Sequence, residues 1–244
     1  MGELFARTMT ALFDQPVVAL ILTWLAFEIG RLVQRRCGGS SLANPVLIAV
    51  ALIVVILQRC GASYETYMRG AGLIHFLLGP AAVALAVPIY DNRERIYQSG
   101  ASLLAGVAAG AAIASASAVL LASWLGASET VVRSIAPKSV TTPIAIGISE
   151  QIGGQPSMTV VFVILTGIMT AMFSGRFFNW IGVRDWDARG VAAGVAGHGI
   201  ATAQMLTVNQ NAGAFAALSI GLTGLFTAVL LPIATRLLPL ILPG

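Results

Sequence analysis

The sequence predicts an all-α polytopic membrane protein of about seven to eight membrane segments, some of them broken or re-entrant. Three observations predict it. Of the 244 residues, 57% are hydrophobic and 10% charged, where a soluble domain carries about 25% charged residues, and mean hydropathy is +0.86. The apolar residues gather in runs close to the roughly 20 that a spanning helix needs. Several runs are interrupted by proline beside small polar residues, which at membrane depth survive only where protein or water surrounds them.

The first run is Pro16 to Val33. Met1 to Gln15 carries one arginine, offset by Glu3 and Asp14, and has no short apolar core before a cleavage site, so no cleaved leader is expected. Glu28 stands three residues before Arg31, the spacing of an ion pair on one helix face. The second run, Leu42 to Leu57, is bracketed by Cys37 and Cys60, which lie about 25 to 30 Å apart along a helix and cannot pair within one chain. Leu73 to Tyr90, with His75 near its start, is the third. Gly100 to Leu125 is the fourth, and its Gly106 and Gly110 predict a close helix crossing, within the chain or between chains. Met158 to Phe178 and Ala212 to Leu242 complete the long runs. Ser139 to Ile152 and Val191 to Val208 are apolar yet rich in Gly, Ser and Thr, and there the breaks are expected.

Fourteen basic residues face ten acids, singly or in pairs, so no nucleic acid partner is expected. Arg31, Arg35 and Arg36, then Arg93 and Arg95, then Arg176, Arg184 and Arg189 follow alternate spans, which favours those loops in the cytoplasm and the N-terminus outside. The remainder is membrane or short loop. A single transmembrane domain over residues 1–244 is therefore expected, with no enzyme activity, metal or cofactor, because no acid–base pair or metal-ligand cluster appears.

Asn44-Pro45, Gly79-Pro80, Thr142-Pro143 and Gln155-Pro156 each read as a helix start, with proline at the first position and a capping or small residue before it. After Thr142-Pro143, Ile144 to Ile152 ends at Gly153-Gly154, giving a helix of about 15 Å, half a bilayer. A half-helix N-terminus at the midplane suits an anion. Lys138, the chain's one lysine, and the hydroxyls of Ser139, Thr141 and Thr142 would join it there. The plainer alternative is a surface helix start with Lys138 reaching water. His198, among the small residues of Gly194 to Gln204 with Thr202 nearby, either holds a carboxylate or a proton, or bonds a backbone carbonyl at a helix crossing. Asn44-Pro45 and Thr142-Pro143, each followed by a later break at Gly79-Pro80 and Gly197-His198, leave a faint trace of two inverted halves.

At these residues the chain resembles the LrgB/CidB family, whose members are described as holin-like or antiholin-like proteins and murein hydrolase export regulators. Leu42-Ala43-Asn44-Pro45 is similar to the family's L-x-N-P, and LLGPAAVALAVPIY from Leu77 to Tyr90 to its third-span signature. PKSVTTPIA from Pro137 to Ala145, then ISEQIGG from Ile148 to Gly154, is the most specific match. GHGIATAQM from Gly197 to Met205 is looser, since the family more often reads like SHGIGTARA, so Gly197, Ala201 and Gln204 depart from the pattern.

The resemblance implies a multi-pass protein of the bacterial inner membrane. A plant plastid relative that fuses such a domain to an LrgA-like one is a glycolate/glycerate translocator, and bacterial relatives are implicated in pyruvate movement with an LrgA/CidA-type partner. The expectation is thus a transporter of small 2-oxo or 2-hydroxy monocarboxylates working by alternating access, with His198 as the group to accept a proton if one is coupled; symport, exchange and facilitated diffusion all stay open. Asn44, Pro80, Lys138, Ser139, Thr141, Thr142, His198 and Thr202 would line its pathway. Expected partners are the carboxylate, the lipid bilayer, an LrgA/CidA-type membrane protein and a second copy of the chain as a dimer. The alternative is a holin/antiholin-like regulator of murein hydrolase export and lysis.

Overall fold

A computed structural model of the chain describes residues 8, 11–38 and 43–241, apart from the side chains of residues 75, 78, 82 and 237–241. The expectations for Leu42, Leu242, the His75 side chain and most of the first ten residues fall outside this set. All regular structure among the described residues is helical. Six helices, or seven spans if one bent pair is counted, are long and apolar enough to cross a membrane. The chain forms two compact units, residues 1–84 and 85–244.

The first unit holds α1 (Pro16–Arg36), α2 (Pro45–Cys60), α3 (Tyr64–Gly70) and α4 (Gly72–Ala84). Asn44 starts α2 as expected, its Oδ1 accepting from the Val46 and Leu47 amides at 2.9 and 3.2 Å. Gly61 ends α2 in the left-handed region, and the chain turns through 116° into α3. Phe13, Ala19, Leu57, Tyr67 and Ala71 form the core. Arg31 Nη1 meets Glu28 Oε1 at 2.7 Å, the ion pair that the spacing predicts. Both described cysteines are free. Gly79-Pro80 does not start a helix: Pro80 lies inside α4. The apolar run continues through the proline, which costs one backbone bond rather than ending the element.

The second unit holds α5 (Ala86–Asp91), α6 (Arg93–Gln98), α7 (Gly100–Trp124), α8 (Glu129–Ile135), α9 (Thr142–Ile152), α10 (Pro156–Trp180), α11 (Trp186–Val208) and α12 (Gln210–Ile241). α7 and α10 turn Leu104, Ile113, Leu120, Val161, Leu165 and Phe173 outward, as lipid-facing helices do. α8 and α9 form a hairpin between them. Its base is pinned to the start of α10, because Ser134 Oγ accepts from Gln155 N at 2.7 Å and Thr159 Oγ1 lies 2.7 Å from Ser149 Oγ and 3.0 Å from Ser134 O.

α11 has the length of a span but does not cross as one. His198 breaks it with φ 41° and ψ −135°. A Cβ on Gly190 would lie 2.3 Å from Ala212 O, and one on Gly194 2.4 Å from Ala216 O. In a straight helix Gly190 would stand about 27 Å from Val208, beyond reach of Ala212. Residues 186–197 and 199–208 are therefore two arms of a second hairpin, folded at His198, with the first arm parallel to α12. The broken or re-entrant segments expected from the sequence are these two hairpins.

The hairpins enter from opposite sides. α10, 25 residues and about 36 Å long, carries the first hairpin's base at its start. Arg189 fixes the second at its end, donating to Val183 O (2.8 Å) and Asn179 Oδ1 (2.5 Å) and stacking over Trp186. Antiparallel to α10, Ile144 lies about 12 Å in from one side; Gly224, which its Cδ1 approaches, lies about 21 Å along α12 from the other. These depths sum to about 33 Å, close to the length of α10. Both tips thus end near its middle.

Candidate functional site

The first tip, residues 136–142, is packed despite its polarity. Ala136, Pro137, Ser139 and Val140 are buried. Val140, Ala145, Ile148 and Ile152 pack with Val163 of α10 and Leu231 of α12, which sets the depth of the hairpin. Backbone bonds from Lys138 N to Ile135 O (3.0 Å) and from Val140 N to Pro137 O (3.3 Å) shape the turn. The residue in the N-cap position is Thr141, one before the Thr142 that the sequence suggests, and its side chain makes no capping bond. First-turn amides have no partner within the helix, so α9 presents uncapped N–H groups and the positive end of its dipole at mid-depth. Lys138 Nζ donates to Ser139 Oγ at 3.1 Å. None of the ion pairs among the described residues involves Lys138.

The second tip is His198, the one described non-glycine residue with positive φ. Its Nε2 lies 3.0 Å from Val163 O. A carbonyl only accepts, so Nε2 carries the proton and Nδ1 of the neutral ring is left as an acceptor. Two glycines make the fit: a Cβ on Gly167 would lie 2.7 Å from His198 Cε1, and one on Gly197 2.5 Å from Thr170 Cβ. The break frees carbonyls before it and amides after it. The backbone-bonded alternative for the histidine is thus its resting arrangement, at a tip rather than a simple crossing.

Val163 joins the tips, its side chain in the apolar cluster that holds Val140 and its carbonyl on His198. The tip sequences 136–142 and 194–202 contain no acid. The tips thus offer a lysine, uncapped amides, hydroxyls and an imidazole with no acid in either tip sequence, a set of groups chemically suited to a compact anion with a neighbouring oxygen.

Of the expected site residues, Lys138, Ser139, Thr141, Thr142, His198 and Thr202 belong to these two hairpins. Asn44 and Pro80 belong to the first unit; Asn44 is committed to its capping bonds, and Pro80 is exposed. Among the described residues, Thr202 Oγ1 is buried without a partner, and so is Thr223 Oγ1. Thr223 was not singled out in the sequence, yet it adjoins Gly224, where α12 meets the first hairpin. Ser219, Thr223 and Thr227 are 0%, 0% and 2% exposed and form a stripe at four-residue spacing. Ser219 bonds back to Phe215 O at 2.7 Å, the usual outcome for a helical hydroxyl; Thr223 does not. No group of three or more His, Cys, Asp or Glu side chains able to hold a metal occurs among the described residues.

Comparison with known proteins adds the family. The profile of the LrgB-like family matches residues 23–237, across both units. Uncharacterized protein YwbG of Bacillus subtilis (strain 168) is 33% identical over 216 residues, 88% of this chain and 96% of the relative. Holin-like protein CidB of Staphylococcus aureus (strain Mu50) is 30% identical over 221 residues, 91% and 96% of the two chains. Holin-like protein CidB of Staphylococcus epidermidis (strain RP62A) is 29% identical over 219 residues, 90% and 95%. No solved structure matches. The chain belongs to the LrgB-like family and is a multi-pass membrane protein.

Proposed function

We propose that this member of the LrgB-like family is a membrane carrier of small monocarboxylates of the 2-oxo or 2-hydroxy type, the glycolate, glycerate and pyruvate class. One observation carries the reading: the uncapped N-terminus of α9 with Lys138 meets the His198 tip of an oppositely inserted hairpin in a centre without an acid. Lys138 and the α9 amides hold the carboxylate. Ser139, Thr141 and Thr142 supply further donors, and Nδ1 of His198 accepts from the 2-hydroxyl or takes the coupled proton. Thr202 and Thr223 offer buried hydroxyls that a ligand would satisfy. Each hairpin closes the path from its own side, so opening them in turn gives alternating access.

Arg95 Nε bonds Asp187 Oδ2 at 2.6 Å, which places the loops after α5 and α10 on one side. The arginines of these loops favour the cytoplasm for that side in our reading, with the protein in a bacterial inner membrane.

The name of the CidB relatives, holin-like protein, favours a second reading, a holin-like regulator of murein hydrolase release, more directly than it favours any particular carboxylate. Uptake of labelled pyruvate and glycolate into liposomes holding this protein alone, with and without a pH gradient, separates the two. The carrier reading expects saturable uptake that is lost in Lys138→Ala, and faster uptake with an inward proton gradient if a proton is coupled. The regulator reading expects lysis on overexpression that depends on assembly and is indifferent to Lys138→Ala. Folded protein with no uptake alone, but uptake beside an LrgA/CidA-type protein, assigns the carrier to a hetero-complex; no uptake in either setting rejects it.

A further inference from the structure

At the base of the first hairpin, on the side away from the cytoplasmic arginines, a second cationic feature lies outside the tip site. Arg133, Gln151 and Ile152 of the hairpin face Pro232, Thr235 and Arg236 of α12 across a cleft of about 160 Å³. That volume is a few times the roughly 30 Å³ that a water occupies in the liquid, so it admits a compact oxyanion and little more. No acidic side chain lines it.

The two guanidiniums are held differently. Arg133 is fixed: Glu129 pairs with its Nη2 one helical turn back, and its Nη1 lies so close over Gly153 that a Cβ there would approach to 2.7 Å. Gly153 is the left-handed C-cap of α9, at φ 79°, so the guanidinium also sits at the negative end of that helix dipole. Arg236 is not fixed. It is exposed and has no ion pair, hydrogen bond or ring contact among the described residues. An unpaired arginine that faces a second one across a narrow cleft, with no acidic side chain in its lining, is open to a bidentate oxyanion.

We propose that Arg133, Arg236 and Gln151 form an oxyanion-binding site at the mouth of the path, separate from the hairpin tips. α9 connects the two: from Gln151 back to Thr142 is about 14 Å at the helical rise. The bound group is a carboxylate or phosphate, supplied either by a dissolved solute waiting to enter or by the headgroup of a lipid at the membrane surface. The inference extends the carrier reading but does not depend on it, since the cleft binds an oxyanion whether or not the tips pass one.

Equilibrium binding tests it with two probes, labelled pyruvate and inorganic phosphate, on protein in an uncharged detergent and in nanodiscs with or without phosphatidylglycerol. Lys138→Ala removes the tip site. In that background one saturable oxyanion site is expected to remain, weakened at least tenfold by Arg236→Gln and largely retained in Arg236→Lys. Arg236 makes no contact on which folding depends, so its variants keep the wild-type melting temperature; Arg133→Gln is a second variant with the same expected loss. If phosphatidylglycerol displaces the probes in proportion to its content, the natural occupant is a lipid phosphate; if it does not, the occupant is the dissolved anion. Binding unchanged by Arg236→Gln, or no saturable binding in Lys138→Ala in either medium, overturns the proposal. Loss of Lys138-dependent binding from the wild type, with the Arg236-dependent site intact, would instead count against the carrier reading alone.

Discussion

Gly194→Ala tests the fold-back of α11 through the sign of its effect. The first arm crosses α12 so closely that the new Cβ would lie 2.4 Å from Ala216 O and 2.9 Å from both Ala216 Cα and Ser219 Cβ. An ordinary C···O approach is about 3.3 Å, so the arm must retreat by nearly 1 Å. A gap of that size forfeits a quarter to a half of the dispersion attraction along the crossing. Overpacking costs about 1–3 kcal/mol, and a backbone contact that cannot rotate away belongs at the upper end. Replacing a helical glycine by alanine returns about 1 kcal/mol, leaving a net loss of about 2 kcal/mol. Gly175→Ala on α10 is the control, because a Cβ there meets nothing within 4 Å and only the helical gain of about 1 kcal/mol operates. At about 2–4 °C per kcal/mol for a chain of this size, Gly194→Ala lowers the melting temperature by about 4–8 °C and Gly175→Ala raises it by about 2–4 °C. Thermal unfolding in one detergent, followed by tryptophan fluorescence, reads both. Equal, stabilising effects of the two substitutions would refute the crossing and, with it, the folded course of α11.

Spin labels at positions 186 and 208 read that course directly: arms packed side by side put the ends about 10–15 Å apart, a straight helix about 33 Å, and a distance near the second figure would reject the hairpin. Thr223→Val removes, at almost constant volume, a buried hydroxyl that has no partner among the described residues. It is expected to raise stability by about 1 kcal/mol while lowering carboxylate uptake severalfold; a variant that loses stability shows the hydroxyl to be bonded within the protein after all.

The half-helix was legible because its signals are local: a proline at the helix start, an apolar run and a Gly-Gly stop lie within fourteen residues. The shift of its N-cap from Thr142 to Thr141 is the usual one-residue uncertainty of helix ends. Gly79-Pro80 carried the same signal yet stayed inside α4, since proline permits a helix start without requiring one. The two hairpins have different grammars despite equivalent places in the fold. The first turns through a proline-bounded linker of six residues, the second at a single residue inside an unbroken apolar run, so the sequence exposes one turn and hides the other. Thr223 was hidden for a related reason. Hydroxyls four apart on an apolar helix usually bond back to their own carbonyls, and only packing reveals the one that does not.

His198 concentrates the structural and functional arguments in one residue. Its φ of 41° costs a side-chain-bearing residue about 1–3 kcal/mol, a cost that glycine largely avoids. Opposing that strain is the bond from Nε2 to Val163 O, worth about 0.5–1.5 kcal/mol. His198→Ala and His198→Gly both lose the bond and leave nearly the same cavity, so their difference isolates the backbone. In an intact helix alanine would be the more stable by about 1 kcal/mol. At a fold-back with positive φ the order reverses, with glycine the more stable by about 1–3 kcal/mol. Uptake falls in both variants, since both remove the Nδ1 acceptor, while the stability order reports only the turn. Alanine above glycine in thermal unfolding would restore a continuous helix through position 198 and leave the tip of the first hairpin with nothing to meet.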